Sequence, residues 1–305
     1  MYRRLRRHRS APVLIVALII ALLAAAVAGC GPDERPAPAP PPATGGPTGN
    51  PSGVLEVCFI DVGQADSILV RSDDATMLID AGNNGDAETV VAFLKEAGVE
   101  KLDLVVGTHP HEDHIGGLDA VIRAFPVDRV CLPRATTTTR TFEDLLAAIK
   151  ERGLTIDSPA ADSQFTLGDA RGTFLAPRGD DYDDLNDYSL VIRLTFGRTA
   201  FLFTGDAGRD SEQEMLAAGV ELQADVLKVG HHGSVTATSA AFLDRVSPAY
   251  AVISVGEDND YGHPHREVVD RLVARGVSVL RTDVSGTIVV TSDGSELVVS
   301  TKPSK

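Results

Sequence analysis

The chain contains no tryptophan, and aromatic residues make up only 5% of its 305 residues. This scarcity argues against aromatic stacking platforms as the main means of binding single-stranded nucleic acid. Cysteine is also rare, and Cys58 and Cys131 each lie within an apolar segment with the pattern of a strand. We expect both to be buried thiols without a chemical role, although an oxidising compartment would allow a disulfide between them.

Positive charge is in short supply, since 28 basic residues face 43 acidic ones and the formal net charge is −15. Five arginines lie within residues 1–30, which contain no acidic residue, so the remainder of the chain carries a net charge of −20. An acidic body repels polyanions at long range. Non-specific affinity for DNA is therefore expected to be poor unless metal ions or a local basic patch compensate.

The N-terminal segment has the layout of a secretory signal, because an arginine-rich stretch at residues 2–9 precedes an apolar run at residues 11–28. The run ends at Cys30 behind small residues, which resembles the bacterial lipobox. We expect a lipoprotein-type signal peptide over residues 1–30, lipidation of Cys30 as a membrane anchor, and an extracytoplasmic location. A plain transmembrane anchor is the alternative. Residues 31–53, rich in Pro, Gly and Ala, are predicted to form a linker.

Residues 54–300 are predicted to form one domain of alternating strands and helices. Strands come first and the later part mixes helices with strands, an order that favours a sheet-on-sheet core with helices outside. Helical periodicity over residues 87–97 stops at Gly98, a residue suited to a helix C-terminus. Another helix is predicted to begin with a capping box formed by Thr141 and Asp144.

Histidine is the most informative residue type, because seven of the eight lie in three clusters that follow predicted buried strands or their short exit loops. The clusters are His109, His111 and His114, then His231 and His232, and finally His263 and His265. In the first cluster Asp113 joins the histidines, and this mixture of imidazole and carboxylate suits zinc or a harder transition metal. The spacing allows His109 and His111 to face one metal ion. Asp113 and His114 would then face a second metal ion. The alternative for the whole cluster is a solvated polar loop that binds no metal.

This histidine motif resembles the signature of the metallo-β-lactamase superfamily. Other segments similar to motifs of that superfamily are residues 78–82, 203–206 and 228–234. The resemblance covers nearly all of the predicted domain and implies an α/β fold, a four-layer αββα sandwich. Details at residues 59–67, 186–190 and 261–265 are closer still to the hydrolase domain of the competence DNA-uptake proteins, the ComEC/Rec2 family. A secreted choline-phosphate esterase branch shares several of these details.

The resemblance implies two divalent metal ions, either zinc or manganese. The implied metal ligands are His109, His111, Asp113, His114, Asp206 and His232. Asp206 would bridge both ions and Asp80 would support the metal loop from behind, although either could be a plain turn residue. His231 is the less favoured ligand of its pair, but the sequence leaves the choice between His231 and His232 open.

Further candidates surround this implied site. Many members have another histidine shortly before the bridging aspartate, where this chain offers only Asn186 and Ser189. The first metal site is therefore expected to be less nitrogen-rich, which would either weaken metal binding or favour Mn²⁺ over Zn²⁺. His263 would protonate the leaving group or stabilise the transition state, which makes it a catalytic candidate beside Asp113 and Asp206. The candidate substrate contacts are Asp61, Gln64, Asp66, Lys228 and Ser234, each of which could instead have a structural role.

The implied reaction is hydrolysis of a phosphodiester with two metal ions. A nuclease that acts on DNA outside the membrane is the leading hypothesis, although after residue 28 no apolar run is long enough for the channel that the uptake proteins carry. The second hypothesis is an esterase for a smaller phosphodiester, such as a choline-phosphate or a wall or lipid headgroup. The third is a metal-bearing surface protein that binds without catalysis. Hydrolysis of a β-lactam or a thioester also stays open on this fold.

Overall fold

The computed structural model describes residue 51 and residues 53–303. The predicted signal peptide, including Cys30, and nearly all of the predicted linker lie outside the described residues. Within the described part of the chain, no helix combines the length and the apolar character needed to cross a membrane.

The strands form two mixed sheets. In chain order, the strands within the described residues are β1 (Leu55–Phe59), β2 (Ser67–Ser72), β3 (Ala75–Ala81), β4 (Leu104–Val106), β5 (Val130–Cys131), β6 (Ile156–Asp157), β7 (Gln164–Leu167), β8 (Ala170–Ala176), β9 (Val191–Phe196), β10 (Thr199–Phe203), β11 (Val226–Lys228), β12 (Tyr250–Ile253), β13 (Ser278–Arg281), β14 (Thr287–Ser292) and β15 (Leu297–Lys302). The first sheet has the order β15-β14-β1-β2-β3-β4-β5-β6, and the second has the order β13-β12-β11-β10-β9-β8-β7. Each sheet has a parallel half, from β3 to β6 and from β10 to β13.

Helices cover the outer face of each sheet. The α-helices of the described residues are α1 (Ala87–Glu96), α2 (Glu112–Ile115), α3 (Leu118–Ala124), α4 (Arg140–Glu151), α5 (Arg209–Ala218), α6 (Ala240–Val246), α7 (Arg266–Val273) and α8 (Thr282–Ser285). Short 3₁₀ turns occur at Asn84–Asp86, Leu185–Tyr188 and Gly230–Gly233.

Three apolar clusters define the layers. The first contains side chains from both sheets and lies between them, with the rings of Phe59 and Phe203 at 6.3 Å between centroids. The second joins the first sheet to α1, α3 and α4, and the third joins the second sheet to α5, α6 and α7. Burial of apolar surface on both faces of both sheets is the main stabilising contribution to this arrangement. The predicted four-layer αββα sandwich is confirmed.

The helix boundaries agree with the sequence pattern at α1 and differ at α4. After α1, Gly98 adopts a φ of +72°, in the left-handed region where glycine ends a helix without a steric cost. At α4 the predicted capping box is wrong, because the cap is Thr139, whose hydroxyl accepts the N–H of Phe142 at 3.4 Å. Thr141 is buried inside the first turn, where its hydroxyl accepts a hydrogen bond from the Asn84 amide at 3.0 Å. Several consecutive threonines precede this helix, so the local pattern did not single out the capping residue.

Both described cysteines are free and buried. Cys58 belongs to the cluster between the first sheet and its helices, whereas Cys131 belongs to the cluster between the two sheets. They therefore lie on opposite faces of one sheet, which excludes a disulfide between them. Burial raises the pKa of the Cys58 thiol to about 12 and that of Cys131 to about 11, so neither is a reactive thiolate at neutral pH.

Candidate metal centre

The predicted ligands converge where the parallel strands of the two sheets end. The first histidine cluster follows β4 and continues into α2. Asp80 lies near the end of β3, Asp206 follows β10, and His232 follows β11. Because the carboxyl ends of parallel strands gather at one edge of a sheet, residues distant in sequence become neighbours there.

Asp80 holds the first histidine cluster from behind. Its Oδ1 accepts the N–H of Thr108 at 2.8 Å and its Oδ2 accepts the Thr108 hydroxyl at 2.7 Å. The same Oδ2 lies 2.8 Å from Nδ1 of His114, so the imidazole donates from Nδ1 and its Nε2 keeps a lone pair for a metal ion. Asp80 is fully buried with a φ of +59°, a conformation that aspartate adopts more readily than most other residues.

Four side chains bring their ligand atoms into one small volume. They are Asp113, His114, Asp206 and His232, and their ligand atoms all lie within 4.8 Å of one another. His114 Nε2 and Asp206 Oδ1 are 3.3 Å apart, and both atoms are buried without a hydrogen-bond partner. A divalent ion would satisfy both atoms, and two imidazoles with two carboxylates form a donor set suited to zinc or manganese.

The charges of this cluster also favour a cation. Burial by itself lowers the pKa of His114, but the surrounding carboxylates, led by Asp206, raise it well above its usual value. Burial opposes ionisation of Asp206, yet the neighbouring His114 and His232 hold the pKa of that carboxyl well below its ordinary value. The site therefore stabilises positive charge between these side chains, and a bound metal ion would supply it.

His109 and His111 form a second pair of nitrogen donors. Nε2 of His109 lies 2.9 Å from Nδ1 of His111, a separation at which both nitrogens are able to face one ion. His109 is fully buried, and burial lowers its pKa well below the usual value, so the ring is neutral as a metal ligand must be. The ring of His109 lies 4.1 Å from the ring of His114 between centroids, and His114 Nε2 lies 3.3 Å from Asp206 Oδ1. His111 and Asp206 also line the same pocket, so the predicted bridging carboxylate and the second pair of donors border one space.

The two histidines after β11 have different positions. His232 is buried, with Nδ1 at 2.9 Å from the carbonyl oxygen of Ser254 and Nε2 at 3.2 Å from Asp113 Oδ2. His231 has a side chain that is 26% exposed, and its Nδ1 lies 2.9 Å from the Thr236 hydroxyl. The geometry places His232 within the four-residue donor set and His231 on the wall of the adjoining pocket.

The segment before β9 braces the turn that carries Asp206. Ser189 is buried, and its hydroxyl oxygen accepts the Asp206 N–H at 3.1 Å and lies 3.3 Å from His109 Nδ1. Asn186 lines the pocket, and its buried Oδ1 has no hydrogen-bond partner. Asp187, which the sequence indicated only as part of the motif at residues 186–190, accepts N–H groups of Gly208 at 3.0 Å and of the first turn of α5 at 3.1 Å.

Some candidate substrate contacts lie away from the open pocket. Asp61 shapes a turn, since its Oδ1 accepts the Gly63 N–H at 3.3 Å, and the buried Ser234 accepts the Thr236 N–H at 3.3 Å. Asp66 and Lys228 are fully buried behind the ligand cluster, where Lys228 Nζ lies 2.6 Å from Asp66 Oδ2.

The remaining candidates border a pocket of about 310 Å³. Its lining residues are Gln64, His111, Glu112, Asp113, Asn186, Asp206, His231, His232, Tyr261 and His263. Nε2 of Gln64 lies 3.4 Å from Nδ1 of His263, while His265 accepts the Val235 N–H at 3.2 Å. Burial lowers the pKa of His263 to about 4, and the neighbouring histidines act in the same direction.

Supporting contacts were the part of the site that the sequence did not indicate. Thr108, the Ser254 carbonyl and Asp187 all orient ligands or the loops that carry them. No local sequence pattern distinguishes such contacts. They come from a threonine next to a histidine, a backbone carbonyl and one aspartate in an acidic loop. Their roles follow from contacts between segments distant in sequence.

The Lys228–Asp66 pair generates a stability prediction. Asp66 also lies near Nδ1 of His232 at 3.5 Å, so Lys228→Met would leave a buried negative charge behind the ligands. Breaking a buried ion pair by removing one partner costs roughly 3–5 kcal/mol. We expect Lys228→Met to lower the free energy of unfolding by about that amount in urea titrations, and the double variant with Asp66→Asn to recover part of the loss.

Lys101→Met is the matched control, because Lys101 forms ion pairs with Asp103 and Asp128 at the surface, where its side chain is 45% exposed. Solvent screens such pairs, so this variant is expected to change stability far less. Equal losses in the Lys101 and Lys228 variants would contradict a structural role for the buried pair.

Comparison with known proteins agrees with this geometry. The sequence model of the Metallo-beta-lactamase superfamily matches residues 60–257. ComE operon protein 3 of Bacillus subtilis is 32% identical over 252 residues, covering 76% of this chain and 32% of the relative. Competence protein ComA of Neisseria gonorrhoeae is 34% identical over 238 residues, covering 75% of this chain and 31% of the relative. The chain thus spans about a third of the length of these curated relatives.

A solved structure shows the same fold. The metallo-beta-lactamase fold protein YhfI of Bacillus subtilis aligns with a TM-score of 0.53 at 15% identity, covering 79% of this chain and 100% of that one. At this identity the likeness concerns the fold alone. The family match spans most of the chain, and the four-layer sandwich carries a candidate two-metal ligand cluster at the expected strand ends. This chain therefore belongs to the metallo-β-lactamase superfamily, a group of generally metal-dependent hydrolases, and is similar to competence proteins across its hydrolase domain.

Proposed function

We propose that this chain is a two-metal phosphodiesterase that cleaves DNA outside the cytoplasm. The observation that carries the proposal is the position of Asp206. Its carboxylate belongs to the four-residue donor set and lines the floor of the open pocket that His111 of the other pair also lines. A shared carboxylate between two groups of donors is the arrangement that two-metal hydrolysis needs.

The chain's own residues provide binding and orientation around that floor. Two bound divalent ions would supply a hydroxide near neutral pH and neutralise charge on the phosphoryl oxygens. Asp80 keeps the lone pair of His114 Nε2 available, and the Ser254 carbonyl does the same for Nε2 of His232. These contacts prepare the ligands in advance, so the chain need not reorganise during the reaction.

Gln64 sets the hydrogen-bonding role of His263. The Gln64 Oε1 accepts the Gly256 N–H at 3.2 Å, so its amide nitrogen is the group that faces His263 Nδ1. Nδ1 then accepts, and the ring carries its proton on Nε2. A neutral imidazole donates a hydrogen bond without releasing its proton. His263 would therefore stabilise charge on a phosphoryl oxygen rather than protonate the leaving group.

Similarity to competence proteins supports DNA as the substrate, and charge limits which form of DNA fits. The chain after residue 30 carries a net charge of −20, and no lysine or arginine is found among the described residues that line the pocket. Affinity for phosphate groups would then depend on the metal ions instead of on a row of lysine and arginine side chains. Short single strands, which bring few phosphates close to the acidic body, are the form of DNA that we expect.

A small phosphodiester is the second candidate, and the size of the pocket favours it. A volume of about 310 Å³, lined by the acidic Glu112, Asp113 and Asp206, accommodates a headgroup such as choline-phosphate or a wall or lipid fragment. Such a substrate carries one phosphate and meets less repulsion from the acidic body than a polynucleotide does.

Hydrolysis assays separate these candidates. The purified chain, supplied with Mn²⁺ or Zn²⁺, is expected to cleave single-stranded DNA and bis(p-nitrophenyl) phosphate. Asp206→Ala removes the shared carboxylate, so we expect activity to fall by more than about 100-fold, since loss of a partner behind a ligand alone costs 10–100-fold. Metal analysis should show two ions per chain and fewer in Asp206→Ala. Asp210→Ala, an exposed carboxylate four residues away, is the matched control and should keep both properties.

Each outcome points to one function. Cleavage of the small ester with no cleavage of DNA would replace the nuclease with the headgroup or wall esterase. Two bound metal ions with no hydrolysis of either substrate would favour a metal-bearing binding protein. Full activity in Asp206→Ala would refute the two-metal site.

The extracytoplasmic location is a separate proposal, based on the signal-like N-terminus. We expect the chain to be anchored to the membrane through a lipid on Cys30, which lies where the apolar run stops. Cys30→Ser should then abolish incorporation of radiolabelled palmitate in bacterial cells, whereas Cys58→Ser, which alters a buried thiol, should leave labelling unchanged. An unlabelled wild-type chain that still sediments with membranes would instead indicate a transmembrane anchor.

A further inference from the structure

Tyr261 is an exposed aromatic residue beside the candidate site. The residue is 68% exposed although its side chain is large and mostly apolar, and it lines the same pocket as Asp206 and His263. Its ring lies 5.6 Å from the ring of His263, measured between centroids, with an angle of 20° between the planes. One face of the tyrosine is thus supported by His263 and much of the ring is open to solvent.

The loop that presents Tyr261 is held in shape by one side chain. The Asn259 amide donates to the carbonyl oxygens of Gly256 at 2.9 Å and His263 at 2.7 Å. Its Oδ1 accepts the N–H groups of Tyr261 at 3.2 Å and His263 at 3.0 Å. Gly262, with a φ of +70°, allows the turn between the two rings. Because the backbone that carries the ring is fixed in advance, less conformational entropy is lost when a ligand packs on it.

The chemistry of this ring favours a flat aromatic ligand. A quaternary ammonium group is recognised best when several aromatic faces surround it. Among the described residues that line the pocket, Tyr261 is the sole phenylalanine, tyrosine or tryptophan. A single open face suits a nucleobase, because every base has a flat π-surface that stacks on an aromatic side chain.

We propose that Tyr261 forms a nucleobase-binding subsite, on which the base next to the scissile phosphate stacks. This inference rests on the proposed phosphodiesterase function and specifies its substrate as a nucleotide ester with an unpaired base. His263 would then contact the phosphate and support the ring that holds the base. Stacking provides attraction that does not depend on positive charge, which suits a pocket without lysine or arginine among its described lining residues.

The subsite also agrees with the scarcity of aromatic residues. Single-strand binding proteins accumulate affinity by stacking successive bases on successive side chains. One ring beside the reacting phosphate recognises one base, so the site would act on short strands or strand ends without a long binding track.

Calorimetric binding to the full-length, Mn²⁺-loaded chain tests this subsite without relying on cleavage. The ligands are tetrathymidylate with slowly hydrolysed phosphorothioate linkages and the same backbone with abasic residues. We expect the wild type to bind the thymidine ligand about tenfold more tightly, the effect of about one stacked base. Tyr261→Ala and Tyr261→Leu should remove this preference, whereas Tyr261→Phe should keep it. Leucine retains an apolar side chain without a flat ring, so it separates stacking from simple hydrophobic contact.

The outcomes distinguish the subsite from the proposed function. Equal binding of both ligands by the wild type, or an unchanged preference in Tyr261→Ala, would overturn the subsite even if DNA is cleaved. A preference that depends on Tyr261 in a chain that cleaves neither DNA nor bis(p-nitrophenyl) phosphate would support base binding and reject the phosphodiesterase. If Tyr261→Ala weakened binding of phosphocholine and left the thymidine ligand unaffected, the ring would serve an ammonium group and the nucleobase assignment would be wrong.

Discussion

Buried negative charge is the constraint on which the rest of the site depends. The carboxylates of Asp66, Asp80 and Asp206 meet around His114 in the interior, where an uncompensated charge is costly. Lys228 pairs with the first of them and Thr108 donates two hydrogen bonds to the second. Asp206 is left with histidine neighbours and one oxygen that has no hydrogen-bond partner. The fold thus compensates the carboxylates behind the site and directs the remaining negative charge toward the position of the metal ions.

The two sheets explain how one chain assembles this concentration of charge. Each sheet has a parallel half, and the ligands follow the ends of strands from both halves. The apolar cluster between the sheets keeps the two edges together, while the loops after the strands carry the polar groups. Stability and chemistry therefore depend on different parts of the protein. The packed sandwich provides the stability, and the loops at the carboxyl ends of the parallel strands provide the chemistry.

Much of this arrangement could be predicted from local patterns. Apolar periodicity indicated most strands and helices, because alternation and helical spacing are properties of neighbouring residues. The segments that carry the metal ligands could be recognised from the sequence, because histidine and aspartate rarely cluster at strand ends without a metal ion. The strand and the α-helices that were missed, β6, α2 and α8, are too short for any periodicity to be detected.

Contacts between distant segments could not be predicted in the same way. The sequence left Lys228 and Asp66 open between substrate contact and a structural role, and the fold buries them against each other behind the ligands. Asp187 belongs to the segment 186–190 that resembles the competence family, but that resemblance did not indicate that its carboxylate accepts the N–H groups at the start of α5. Similarly, the low aromatic content argued against stacking, whereas the exposure of Tyr261 beside His263 becomes apparent only in three dimensions.

The shared role of Asp206 is tested most directly by anomalous X-ray diffraction from crystals loaded with Mn²⁺ or Zn²⁺. We expect two anomalous peaks, about 3.5–4 Å apart as in other two-metal sites. One ion should contact Asp113, His114 and His232, the other should contact His109 and His111, and Asp206 should contact both. A single peak, or two peaks of which only one contacts Asp206, would contradict the shared role of Asp206.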